Sequence, residues 1–217
     1  MLVDKYTQKD SSYYDQVRTD VVAMIEGSVA TLLDVGCGSG ATALKIGEVT
    51  GASFVAGIEF QGEAADRAVQ RLDRVVVGNV EELPVQTFEP DSFDLIVCAD
   101  VLEHLVDPGE TLAMLRTWLK KDGRLVVSMP HMGHLTVILK LLFDRLEYEK
   151  EGVLDETHLR FYTLHTIRKL LTDSEFAIER VEVNRSKTLK FKILDLLTLP
   201  FGSRLSIFQY RLIARPV

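Results

Sequence analysis

The stretch Leu32-Leu33-Asp34-Val35-Gly36-Cys37-Gly38-Ser39-Gly40 constrains this chain more than any other. Its first four residues form a short apolar run of strand character. Three glycines within five residues then break the run, and Ala41–Val49 follows with helical spacing. Glycine at a strand-to-helix turn lets the backbone approach a ligand closely, and the helix start offers it free amides. A tight turn without a ligand would also use glycines, at a higher cost in backbone entropy.

The alternation continues. Ser53–Ile58 reads as a second strand, Glu63–Leu72 as a helix and Arg74–Val77 as a third strand. Phe93–Ala99 is almost continuously apolar, as a strand buried on both faces should be. Pro108 opens a helix running to about Lys120, and Asp122-Gly123 predicts a turn into a fifth strand, Arg124–Met129. Strand and helix at this rhythm specify an α/β fold: a doubly wound, mostly parallel sheet with helices on both faces. Ligands of such sheets bind at the carboxyl ends of the strands, near the switch in strand order.

Three segments lie outside this core. Tyr6–Glu26 reads as an N-terminal helix with its preceding arm. His131–Arg160 is an insertion after the fifth strand, with an amphipathic helix at about Gly133–Leu146. Ala177–Asn184 and Ile207–Ala214 read as further strands, and Arg185–Ser206, rich in Leu, Phe and Lys, receives no element. The 217 residues suit a single domain, with a helical arm at 1–30 and an insertion at 131–162 that could close over an acceptor.

Charge and composition narrow the function. A net charge of −7 disfavours a nucleic-acid surface. The two cysteines, Cys37 and Cys98, have no metal-type spacing and suit reduced thiols in a cytoplasmic protein. Met1–Asp10 is polar and charged, unlike a signal peptide. The longest apolar candidate, Leu135–Phe143, is interrupted by Lys140 and too short to span a membrane.

Asp34 discriminates between ligands. A carboxylate just before the glycines suits a cationic amino group and repels a pyrophosphate, while it can also cap the loop amides. Glu59, at the end of the second strand, can accept from both hydroxyls of a ribose. Gly36, Gly38 and Ala41 also satisfy the loose dinucleotide fingerprint, so glycine spacing alone does not separate nucleoside ligands.

Leu33–Gly40 resembles motif I of the class I S-adenosylmethionine (SAM)-dependent methyltransferases. Gly57-Ile58-Glu59 is similar to that family's acidic ribose position, and Gly78-Asn79-Val80-Glu81-Glu82-Leu83-Pro84 to its adenine-edge segment, with Asn79 where Asp is usual. Phe93–Leu105 and Leu119–Ser128 resemble its fourth strand and its turn into the fifth. The resemblance covers about Thr31–Met129. It implies a seven-stranded sheet with the last strand antiparallel, and SAM as cofactor with S-adenosylhomocysteine as product. It implies that Asp34, Gly36, Cys37, Gly38 and Gly40 hold the methionine end, Glu59 the ribose, and Asn79, Val80 and Phe60 the adenine. Ala99 would line the sulfonium region, and Tyr13 and Tyr14 would either close over the cofactor or simply pack. The run Thr157-His158-Leu159-Arg160-Phe161-Tyr162-Thr163 further resembles bacterial methyltransferases of the methyltransferase-domain 11/23 type found with cell-surface polysaccharide and methionine-related genes.

Methyl transfer from a sulfonium is an in-line displacement, in which the protein mainly positions the acceptor. A hydroxyl acceptor benefits from a general base, for which His104, His131, His134 and His158 are the candidates, each in a loop expected at the carboxyl edge of the sheet. Their spacing gives no metal signature, and no metal is expected. Arg160 either binds an anionic acceptor or ties the insertion to the core. Leu135–Leu146 is either a lid or plain packing, and Leu189–Phe208 a dimer surface, part of the acceptor pocket or a weak lipid-facing patch. A monomer or homodimer acting on a small-molecule or saccharide acceptor is therefore expected. A non-catalytic SAM-binding protein and a nicotinamide-dependent oxidoreductase are the alternatives. Asp34, and the absence of a hydride-transfer dyad, argue against the oxidoreductase.

Overall fold

A computed structural model describes residues 14–186 and 202–217. Seven strands form one sheet: β1 (Thr31–Val35), β2 (Phe54–Glu59), β3 (Arg74–Val77), β4 (Phe93–Ala99), β5 (Leu119–Pro130), β6 (Phe176–Arg185) and β7 (Ile207–Pro216). Their order is β3-β2-β1-β4-β5-β7-β6. The first five pair in parallel, and β7 runs antiparallel between β5 and β6. The expected α/β architecture, with its antiparallel last strand, is therefore present. Chain order reverses between β1 and β4, which places the switch crevice at their carboxyl ends.

The period-2 alternation of the strands sorts the core into two layers. Leu32, Val55, Leu95, Val97, Val126 and Ile213 face one side. There they meet α1 (Thr19–Val22), α2 (Ala41–Thr50) and the end of α3 (Gly62–Ala68) through Val21, Ala43, Ile46 and Ala68. Leu33, Val35, Ile96, Cys98, Leu125 and Val127 face the other side, against α4 (Pro108–Trp118) and α6 (Leu164–Asp173). Trp118 is fully buried in that layer. Its indole N–H donates to the Val85 carbonyl at 2.6 Å, and its ring meets Phe88 edge to face at 5.1 Å.

Four elements depart from the sequence reading. The N-terminal helix reduces to one turn, Thr19–Val22, and residues 1–13 lie outside the described region. The Asp122-Gly123 turn is absorbed into β5 as an irregular bulge, because pairing jumps from Phe93–Leu119 to Leu95–Arg124. The insertion helix is α5 (Leu135–Leu142), shorter than the pattern suggests. The sequence reading assigned no element to α6, which a Thr163–Thr166 capping box starts. A single turn, α7 (Gly202–Leu205), leads into β7, and residues 187–201 lie outside the described region.

Gly57, in β2, shows how tightly the site-bearing loop is packed. A Cβ there would lie 2.5 Å from Cys37 Sγ and 2.9 Å from Leu72 Cδ1. Gly57→Ala should therefore cost about 2 kcal/mol by overpacking. A thermal melt should fall by about 4–8 °C. An unchanged melting temperature would mean that the loop yields freely.

Candidate functional site

A cavity of about 740 Å³ opens at the switch point. That size suits a nucleoside-sized ligand. Its walls include Asp34, Gly36, Cys37 and Gly38 after β1, Glu59 and Phe60 after β2, Asn79 and Val80 after β3, Ala99, Asp100 and His104 after β4, and Tyr14 and Arg18 from the N-terminal arm.

The glycine loop is shaped by close contacts. Gly36 and Gly38 have φ of +69° and +56°, where a side chain is strained. A Cβ at Gly38 would sit 2.9 Å from the Tyr14 carbonyl oxygen, which accepts from Ser39 N–H at 3.1 Å. The loop is tied to β2 as well. Gly36 N–H and Cys37 N–H donate to the Ile58 carbonyl at 2.8 and 3.1 Å. The Glu59 carboxylate accepts from Gly38 N–H and Gln61 N–H, both at 2.7 Å. Burial raises Glu59 above its ordinary value, and these amides pull it back down.

Asp34 has no such compensation. It is 3% exposed, and among the described residues no hydrogen bond acts on its carboxylate. Burial, with Glu59 nearby, pushes it up to about 7 against a smaller opposing effect of Arg18. A buried carboxylate without a donor is costly to ionise, and a cationic ligand group would relieve that cost.

The other end of the cavity is lined by a polar network that the sequence reading missed. Asp100, at φ +58°, turns the chain sharply after β4. Its carboxylate accepts from Arg18 and from Gln209 Nε2 at 2.7 Å. Arg18 also donates to Ser128 Oγ at 3.1 Å, Gln209 Oε1 at 3.2 Å and Asp20 at 3.0 Å. Asp100 and Asp20 hold the Arg18 guanidinium above its ordinary value despite its burial. No spacing in the sequence connects Arg18, Asp100 and Gln209, because strand order alone brings β4, β5 and β7 together.

The expected site residues are not all placed alike. Gly40 is not in the cavity wall; it starts α2, and a Cβ there would face Leu72 at 3.0 Å. Cys37 lines the cavity, but its thiol lies against Gly57 on the core side, and burial pushes it far up. Asn79 lines the cavity while its side-chain oxygen accepts from Glu81 N–H at 3.1 Å, so one of its lone pairs is in use. Tyr13 lies outside the described residues.

Of the four histidines, only His104 lines the cavity. His158 stands beside it, ring to ring at 4.7 Å. His131 packs edge to face on Tyr210 at 4.8 Å, and His134 precedes α5 with Nδ1 2.8 Å from Thr136 Oγ1. Neither belongs to the cavity wall, and burial lowers both below their ordinary value. Among the described residues Arg160 forms no ion pair with the core. It grips the Val106 carbonyl through Nε at 3.1 Å and through Nη2.

Glu59 should be sensitive to change on two counts, since its carboxylate both holds the loop amides and faces the cavity. Glu59→Ala should weaken nucleoside binding by about tenfold to a hundredfold, with two hydrogen bonds lost at about 1 kcal/mol each before any ligand contact. Calorimetric titration with S-adenosylhomocysteine measures this, and unchanged affinity would remove Glu59 from the site.

Fold, switch-point cavity and glycine loop together define a nucleoside-binding α/β domain. The family model described as "Methyltransferase domain" matches residues 9–181, and the chain belongs to that family. A ubiquinone biosynthesis O-methyltransferase of Paraburkholderia phymatum is 35% identical over 96 residues, covering 42% of this chain and 40% of the relative. A protein of the same name from Neisseria meningitidis serogroup C is 31% identical over 105 residues, covering 45% and 42%. The chain thus spans about two fifths of the length of these curated relatives. The crystal structure of a SAM-dependent methyltransferase from Mesorhizobium loti superposes with a TM-score of 0.65 at 22% identity, covering 91% of this chain and 96% of that one. Among the described residues no helix is long and apolar enough to cross a membrane.

Proposed function

We propose that the protein transfers a methyl group from SAM to an oxygen of a small-molecule acceptor, saccharides included. The observation that carries this reading is Asp34, a buried carboxylate without a hydrogen bond among the described residues, set beneath a glycine loop in a nucleoside-sized cavity. The residues present fit the cofactor. Asp34 suits its amino group, Glu59 its ribose hydroxyls, and the crowding at Gly36 and Gly38 leaves a smooth floor for close approach. Asn79, Val80 and Phe60 would flank the adenine, Ala99 the sulfonium, and Tyr14 the open side.

SAM supplies an already activated methyl group. The chain's own task is to hold an acceptor lone pair in line with it and to exclude water. His104 is the histidine placed to receive the acceptor's proton. We assign helix α5 the role of a lid that closes from outside the cavity wall: it leaves Leu141 and Leu142 exposed, at 52% and 72%, with Phe143 just beyond it at 67%. The two curated relatives named for O-methyl transfer support oxygen as the atom methylated.

The test is calorimetric titration with SAM and S-adenosylhomocysteine, followed by methyl-labelled SAM with a panel of phenolic and saccharide hydroxyl compounds. Micromolar binding and label in an acceptor are expected. Folded protein that binds neither nucleoside overturns the reading.

A further inference from the structure

The geometry points to a divalent metal site formed by Glu103, His104 and His158 at the acceptor end of the cavity, suited to zinc or a neighbouring first-row ion. Glu103 and His104 sit in the single turn Leu102–His104 just after β4. Glu103 is 0% exposed, and neither carboxylate oxygen has a hydrogen-bond partner among the described residues. A carboxylate left so in a folded core demands an explanation, and an absent cation is the simplest one.

The two imidazoles beside it are oriented as metal ligands are. His104 Nδ1 lies 3.1 Å from the Thr157 carbonyl, and His158 Nδ1 lies 3.1 Å from the Val153 carbonyl. A carbonyl only accepts, so each Nδ1 carries the proton. In that tautomer each Nε2 is the acceptor nitrogen, the one that can bind a cation. A backbone carbonyl fixing the far nitrogen is the usual support for a ligating histidine.

Distances agree. The three ligand atoms lie within 4.8 Å of one another. His158 Nε2 and Glu103 Oε1 are 4.0 Å apart, too far for a hydrogen bond. Two ligands at about 2.1 Å from a tetrahedral ion stand about 3.4 Å apart, so modest closure seats the ion. The loop carrying His158 is built to hold that position. Asp155 Oδ1 accepts from Thr157 N–H at 2.8 Å and Thr157 Oγ1 at 2.6 Å. Leu159 and Arg160 N–H donate to the Glu103 carbonyl at 2.9 and 3.0 Å.

Nitrogen and carboxylate ligands together select first-row ions over magnesium or calcium. Three protein ligands leave a coordination position open, and His104 places it on the cavity. Resting on the methyl-transfer reading, that position would take the acceptor hydroxyl and ease the loss of its proton to solvent; with the ion bound, His104 serves as a ligand and gives up the role of base.

Cobalt(II) is the probe. Titrated into metal-free wild type, it should give one equivalent of intense visible d–d absorption, displaced by zinc. Glu103→Gln and His158→Gln should each weaken cobalt affinity by at least about a hundredfold, a ligand mattering more than its supports. His165→Gln, an exposed histidine of α6, should bind as wild type does. S-adenosylhomocysteine titrations on the same samples report folding and the cofactor site separately. Wild type that binds the nucleoside but no cobalt overturns the proposal, as do Glu103 and His158 variants that bind cobalt as tightly as wild type.

Discussion

Asp34→Asn is expected to stabilise the ligand-free protein at pH 8 while removing cofactor binding. The folded chain holds this carboxyl at about 7, against an ordinary 3.8. Burial, the largest cause, disfavours the charged form, so the folded state binds the proton more tightly than the unfolded one. Stability therefore falls as pH rises from about 4 and levels off above about 7. The gap corresponds to about 4 kcal/mol at full ionisation. Asparagine keeps the shape but is itself a buried polar group, so about half should be recovered, or about 4–8 °C in melting temperature. The gain should shrink as pH falls and be gone near pH 4. Binding should move the other way. Losing a charged hydrogen bond to the ligand's amino group costs about 3 kcal/mol, roughly a hundredfold in affinity. Melts from pH 4 to 8 and calorimetry at pH 8 give both numbers. A variant less stable than wild type at pH 8 would mean that Asp34 has a partner in the fold. Unchanged affinity would mean that the ligand does not touch it.

Such an opposition between fold and ligand is what makes Asp34 readable in the sequence as a candidate cofactor contact. Asp34 breaks an apolar run at a position where a charge harms the fold, and such local conflicts mark function. Glu59 has a readable place because a strand end fixes it, and β4 was legible because a buried parallel strand needs a nearly unbroken apolar run. The acceptor half was not legible. Arg18, Asp100 and Gln209 meet only because β7 inserts beside β5, which no local pattern encodes. Glu103 looks like any charged loop residue until the fold buries it. The histidines resemble one another in sequence, yet His104 faces the cavity and His131 packs on Tyr210. The Asp122-Gly123 turn failed for a related reason. Pairing with β4 on one side of the bulge and the other keeps those residues extended.

Arg18→Ala should cost about 3 kcal/mol of stability, or about 6–12 °C, and weaken nucleoside binding about tenfold. Removing the guanidinium leaves Asp100 with Gln209 and Ser128 but without its cation, and takes donors from Asp20 as well. Burial pushes Asp100 up, so losing the opposing charge of Arg18 raises the cost of its ionised form. The side chains are 23% and 26% exposed, which puts the effect at the low end for a broken buried pair. Asp100→Asn in the Arg18→Ala background removes the stranded charge and should restore about 2 kcal/mol. The two changes should therefore be non-additive. Nucleoside affinity should not return with stability. The Arg18 side chain ties the arm, whose Tyr14 carbonyl accepts from Ser39 N–H, to Ser128 of β5 and Gln209 of β7, and Asp100→Asn restores neither tie. The split between the two readouts is the test. A double variant that regains neither property would mean that the cost of Arg18→Ala does not come from a stranded Asp100 charge. One that regains both would confine Arg18 to neutralising Asp100, with no part in placing the arm over the cofactor.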